Sequence, residues 1–181
     1  MSIELLSDSA SKLGNLISVG KLDPIELTEL YLKAIKEEPL SKRIYSTVTK
    51  ERARIEAKAS SDRMKSGMRK SALDGVPISW KDLFDTAGVV TEAGTDLLKG
   101  RIPSRDADVV RNATEAGLVC LGKTHMSELA FSGLGLNPVT QTPPCVNDLT
   151  AVAGGSSSGA AASVAFNLAA VSYTHLRAHE T

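Results

Sequence analysis

Val76-Pro-Ile-Ser-Trp80, Asp106 to Ala116 and Leu118-Val-Cys-Leu121 decide the fold class: an apolar run, a segment of helical periodicity closed by Gly117, and a second apolar run. Strand, helix ended by glycine, strand is a β-α-β rhythm, and it predicts an α/β sheet from Leu73 onward. Asp106 reads as the N-cap of the helix. Further along, Ser127 to Phe131 reads as a short helix, and Ala160 to Phe166 as a small-residue helix that packs closely on its neighbours. Between them, residues 132–155 hold Gly, Pro, Asn and Thr without periodicity. A loop of that length in a compact domain carries function more often than not.

Upstream the pattern is helical. Ala10, Leu13, Leu16 and Ile17 share one face before Gly20, and Asp23-Pro24-Ile25-Glu26 supplies a cap and a helix-initiating proline ahead of the stripe Leu27, Leu30, Tyr31, Ala34 and Ile35. Ile44 to Thr49 reads as a short strand and Glu51 to Ser66 as a charged helix closed by Gly67. The chain therefore divides into an N-terminal helical region, 1–70, and an α/β region, 71–172, with residues 173–181 set apart below.

Composition narrows the function. Lys plus Arg and Asp plus Glu number 21 each, so no global field draws the chain to nucleic acid or an anionic membrane. The 42% hydrophobic content is enough for a core. The first residues are acidic where a signal peptide is basic, and no run of about 18 apolar residues occurs, which predicts a soluble, cytoplasmic protein. Cys120 and Cys145 lack CxxC spacing and a nearby His, so they point to neither zinc nor a disulfide framework, with Cys120 in a buried strand.

Gly154-Gly155-Ser156-Ser157-Ser158-Gly159 places hydroxyls and flexible amides at the start of a helix, a site suited to an anion or a developing oxyanion. The rival readings are a Gly/Ser linker, which the Ala-rich helix behind it disfavours, and a phosphate loop, which lacks the Gly-Lys-Ser/Thr ending. Lys81 follows an apolar strand, where desolvation would lower its pKa and let it serve as a general base. The plain alternative is a surface lysine that snorkels.

Gly75-Val-Pro-Ile-Ser-Trp-Lys81-Asp82 and Gly154-Gly-Ser-Ser-Ser-Gly159 together resemble the two N-terminal signature blocks of the amidase-signature family, with Leu121-Gly-Lys-Thr-His-Met-Ser-Glu-Leu-Ala130 similar to the segment that joins them. The resemblance implies an α/β/α sandwich around a mixed sheet, of which this chain holds the N-terminal part behind its N-terminal helices, with an unpaired strand edge exposed. It also implies a Ser-Ser-Lys triad in which Lys81 is the base and Ser156, following a cis peptide bond from Gly155, relays the proton. Ser157 would give Lys81 a supporting hydrogen bond, and Gly154 and Gly155 would supply loop backbone at the oxyanion. No metal and no cofactor are implied.

The family's nucleophilic serine closes a Gly-Thr-Asp-x-Gly-Gly-Ser motif, and the register leads to Glu180. Residues 173–181 share nothing with that motif and read as a non-native tail, a sequencing or assembly artefact. His175 and His179, spaced like a helical metal pair, are discounted with it. The implied activity of the complete enzyme is hydrolysis of a linear carboxamide, with a small-molecule amide as partner, no membrane, and homo-oligomerisation left open; the chain as given would be inactive. Two alternatives stand beside it: the amidase-type component of a tRNA-dependent amidotransferase, its A chain, which alone would bring in a nucleic acid, and a non-catalytic fragment that binds a small ligand.

Overall fold

The computed structural model describes residues 3–173. Local chemistry sets the first helices. In α1 (Ala10–Ser18) the Ser9 side chain accepts from the Lys12 N–H, and the chain leaves through Gly20 in the left-handed region, φ 70°. In α2 (Pro24–Glu37) the Asp23 carboxylate accepts from Ile25 N–H at 2.9 Å, and the stripe Leu27, Tyr31 and Ile35 is buried. Full burial of a side chain such as Leu27 stabilises by about 1.5–3 kcal/mol. A one-turn helix, α3 (Ser41–Ile44), which the sequence pattern does not reveal, precedes β1 (Tyr45–Val48) and α4 (Lys50–Lys65).

The remaining elements are β2 (Pro77–Lys81), α5 (Asp108–Glu115), β3 (Val119–Thr124), α6 (Ser158–Ala165) and β4 (Val171–Tyr173), with 3-10 turns at Ile3–Ser7, Asp96–Leu98 and Glu128–Ala130. The strands form a mixed sheet in the order β1-β3-β2-β4. β1 runs antiparallel to β3, whereas β2 is parallel to both β3 and β4, so β2-α5-β3 is the expected crossover unit. Helices cover both faces. Leu13, Ile17, Leu27, Tyr31, Ala57, Leu121 and Ala162 form the core on one face, and Ile78, Trp80, Phe84, Val110 and Cys120 the core under α5 on the other. β1 comes from the N-terminal region yet belongs to this sheet. Among the described residues β1 and β4 are the edges, and Tyr173 stacks on Trp80 with ring centroids 5.7 Å apart.

Beyond shifts of one or two residues at element ends, three readings differ from the sequence expectation. Asp106 does not cap α5: Ala107 holds that position without a side-chain bond, because the Asp106 carboxylate is committed to Arg52 and to the Ala87 N–H at 2.7 Å. The segment Ser127 to Phe131 makes a three-residue turn instead of a helix, with Leu129 and Ala130 at φ 48° and 59°. β3 continues past Leu121 through Gly122-Lys-Thr124, polar residues that a strand core accepts here because the Lys123 and Thr124 side chains have buried partners.

Candidate active site

β2 ends in Lys81 itself, and all five of its residues are buried. The Lys81 side chain has no exposed surface, and its Nζ donates to Ser156 Oγ at 2.7 Å across 75 residues of sequence. Ser156, 2% exposed, follows a cis peptide bond from Gly155 and lies just ahead of α6, with Ser157 at the helix's N-cap position. The two signature blocks therefore meet at a buried hydrogen bond. Beside it opens a cavity of about 360 Å³ lined by Gly133, Ala153, Gly154, Gly155, Ser156, Ser157 and Ala161.

Close backbone approach builds the loop. A Cβ on Gly159 would come within 2.7 Å of the His125 backbone and of Ile44 O, so only glycine lets α6 seat against the end of α3 and the residue that follows β3, and the Gly159 N–H donates to His125 O at 2.9 Å. Gly155 N–H donates to Gly133 O at 2.8 Å and is therefore already committed within the loop. Ser156 O accepts from Ser127 N–H at 3.0 Å, which ties the serine loop to the turn after β3. Glu180, His175 and His179 lie outside the described residues, and among the described residues no cluster of His, Cys, Asp and Glu suited to a metal occurs.

Several site-building residues carry no obvious sequence signal. Asn137, 2% exposed, organises the long loop: its Nδ2 donates to Gly94 O at 2.8 Å and Met126 O at 2.7 Å, while its Oδ1 accepts from Val139 and Thr140 N–H. Asp82 and Lys123, both buried, pair at 3.2 Å directly behind Lys81. Burial pushes the Asp82 carboxyl up and the Lys123 ammonium down, each against the attraction of the other. An isolated Asp or Lys at a strand end ordinarily reads as surface, and only the strand pairing of Trp80 with Lys123 brings these two together.

The mixed sheet with helices on both faces matches that of solved amidases. The amidase family model matches residues 26–174, and the chain belongs to that family. It is 41% identical over 151 residues to the A chain of the glutamyl-tRNA(Gln) amidotransferase of Anaeromyxobacter dehalogenans, covering 82% of this chain and 30% of that protein. The protein of the same name from Acinetobacter baumannii is 40% identical over 161 residues, 89% of this chain and 32% of its own. Among solved structures, the native peptide amidase of Stenotrophomonas maltophilia superposes with a TM-score of 0.82 at 32% identity, over 91% of this chain and 35% of that one. A bacterial aryl acylamidase of the amidase-signature family does so with a TM-score of 0.82 at 26% identity, over 90% and 34%. The chain thus spans about a third of the length of the relatives it matches. No helix among the described residues is long and apolar enough to cross a membrane.

Proposed function

We propose that the complete protein cleaves a carboxamide C–N bond with a Ser-Ser-Lys triad to which this chain contributes Lys81 and Ser156. The buried 2.7 Å hydrogen bond from Lys81 Nζ to Ser156 Oγ carries the reading. A base and a hydroxyl held in that contact can pass a proton from an attacking serine to the lysine and return it to the departing amine. Ser157, at the mouth of α6 and on the wall of the cavity, is the supporting residue. With the Gly155 N–H engaged, Gly154 is the loop residue left for oxyanion binding among the described residues of the block. The substrate is a small linear carboxamide, the working compartment the cytoplasm, and the reaction uses no cofactor.

The nucleophile would follow β4. Position 180 holds Glu180, so the 181-residue chain is expected to be inert towards amides. The deciding experiment reads the source DNA through and beyond the codon for Val171 and assays the polypeptide it encodes with a panel of carboxamides. A Gly-Thr-Asp-x-Gly-Gly-Ser motif in frame, with turnover that falls by about 10²–10⁴-fold in Lys81→Ala and in Ser156→Ala, is the expected result. Full turnover in both variants overturns the assignment.

The 41% identity to an amidotransferase component favours a second reading, in which the released ammonia passes to a misacylated tRNA with partner subunits. Ammonia release from glutamine that depends on added partner chains and tRNA selects it. Release from simple amides by the isolated protein selects the stand-alone amidase.

A further inference from the structure

Every polar group of Asp82 is engaged. Its N–H donates to Thr124 O at 3.0 Å and its carbonyl accepts from Ala93 N–H at 3.1 Å; Oδ2 accepts from Glu92 N–H at 3.0 Å and Oδ1 from Lys123 Nζ at 3.2 Å. Lys123 Nζ also donates to Thr91 Oγ1 at 2.8 Å. Asp82 is 4% exposed, Thr91 1% and Lys123 not at all. A buried ion pair in such a place is weak evidence of net stability, because desolvation of both charges offsets their attraction; what it supplies is one fixed geometry.

That geometry leads to Ser156 by an unbroken route. Ala93, held by Asp82, accepts from Leu129 N–H at 2.9 Å; Leu129 sits in the turn where Ala130 N–H donates to Ser127 O at 3.0 Å; and Ser127 N–H donates to Ser156 O at 3.0 Å. Thr95 Oγ1 donates to Glu128 Oε1 at 2.7 Å and ties the same two turns a second time. The route starts at the residue bonded to Lys81 and ends at Ser156. It therefore closes a ring whose remaining side is the Lys81–Ser156 hydrogen bond.

We propose that the buried Asp82–Lys123 pair is the positioning device for the Lys81–Ser156 pair, acting through the turns at Thr91–Thr95 and Ser127–Ala130. Lys123 shares a face of the sheet with Trp80, its register partner, and Lys81 follows on the opposite face, so the influence runs through backbone. The proposal rests on the reading of Lys81 and Ser156 as base and relay. The titratable groups that bear on the device are Glu92, which acts on Asp82, and Cys120, Asp85 and Asp106, which interact with Lys123.

The test labels the lysines of the 181-residue chain with ¹³C and follows the Lys81 ε-methylene signal, assigned through Lys81→Met, across pH. In the parent chain Ser156→Ala is expected to move that signal and its titration midpoint. In Asp82→Asn and in Lys123→Met the midpoint is expected to move by at least about half a pH unit and the response to Ser156→Ala to vanish. A folded variant that leaves both unchanged overturns the positioning role, since a purely structural pillar would lower thermal stability and nothing else. A parent chain in which Ser156→Ala has no effect instead removes the functional coupling of Lys81 to Ser156, and the positioning proposal falls with it. Should both variants fail to fold, Thr91→Val removes a single bond from Lys123 and gives the same decision: a smaller shift in the same sense supports the device, and an unchanged signal overturns it.

Discussion

Arg52 grips Asp106 with two parallel hydrogen bonds, Nη1 to Oδ1 and Nη2 to Oδ2, both 2.9 Å, joining α4 to the segment that leads into α5 across 54 residues of sequence. Arg52 Nε also donates to Glu56 at 2.8 Å, and Glu56 Oε2 accepts from Cys120 N–H at 2.7 Å in β3. The fork thus connects a helix on one face of the sheet to the crossover on the other. Burial pushes the Asp106 carboxyl up, but Arg52 and the Ala87 N–H hold it below the ordinary carboxylate range. Asp106→Ala leaves a largely buried guanidinium short of its partner, and the predicted loss is about 1.5–3 kcal/mol, measured from the urea midpoint. A loss no greater than that of an exposed carboxylate such as Glu51→Ala would sink the idea.

Acid sensitivity is predicted to centre on Asp74. Its carboxylate is buried and accepts from Arg63 Nη2 at 2.6 Å, Arg63 Nε at 2.8 Å and Lys70 N–H at 2.9 Å. Burial pushes the group up, yet these donors bring it below its ordinary value. For a carboxyl depressed in the folded state, the stabilisation is complete above the unfolded value of about 4 and is lost as pH falls through the folded value. Thermal melts between neutral pH and pH 2 should show a steep acid limb, and Asp74→Asn should flatten it while lowering stability at pH 7. An unchanged limb in the variant would refute the assignment.

Gly159→Ala is expected to cost at least about 3 kcal/mol, the upper end for overpacking, because the new methyl would meet the His125 backbone and Ile44 O, none of which can swing away. Gly133→Ala is the matched control. A Cβ there meets nothing within 4 Å, so its change should stay within about 0.5 kcal/mol. Equal urea midpoints for the two variants would contradict the close approach of α6.

The two thiols are predicted to differ in reactivity. Cys120 is buried in β3, and burial pushes its thiol up to about 11, so almost no thiolate exists at pH 8. Cys145 sits half-buried in the loop. An aromatic disulfide reagent should therefore modify one thiol per native chain and both in denaturant, with peptide mapping placing the native label on Cys145. Prompt native labelling of Cys120 would show that β3 opens.

Legibility in the sequence follows the range of the interaction. The cap of α2, the stripe Leu27-Tyr31-Ile35, the glycines that end α1 and α4 and the crossover between β2 and β3 are local patterns of period and punctuation, and such patterns can be read directly. Asp106 misleads because a cap is judged from its neighbours, whereas its partner Arg52 lies 54 residues away. The turn at Ser127–Phe131 looks helical by composition, but its backbone is set by Ala93 O and Ser156 O, contacts without sequence periodicity.

The sequence by itself determined the class of fold and the two signature blocks, since those depend on residue type and spacing, and the blocks' resemblance to a family is what singles out Lys81 and Ser156 for the proposed pair. Only the tertiary structure decided that Lys81 Nζ and Ser156 Oγ stand 2.7 Å apart, that Gly155 N–H is already spent on Gly133, and that Asp82 and Lys123 form a buried pair behind them. The physical reason is the same in each case. A hydrogen bond is fixed by distance and angle between groups remote in sequence, and those are set by how the strands register and how closely glycines let the backbone approach.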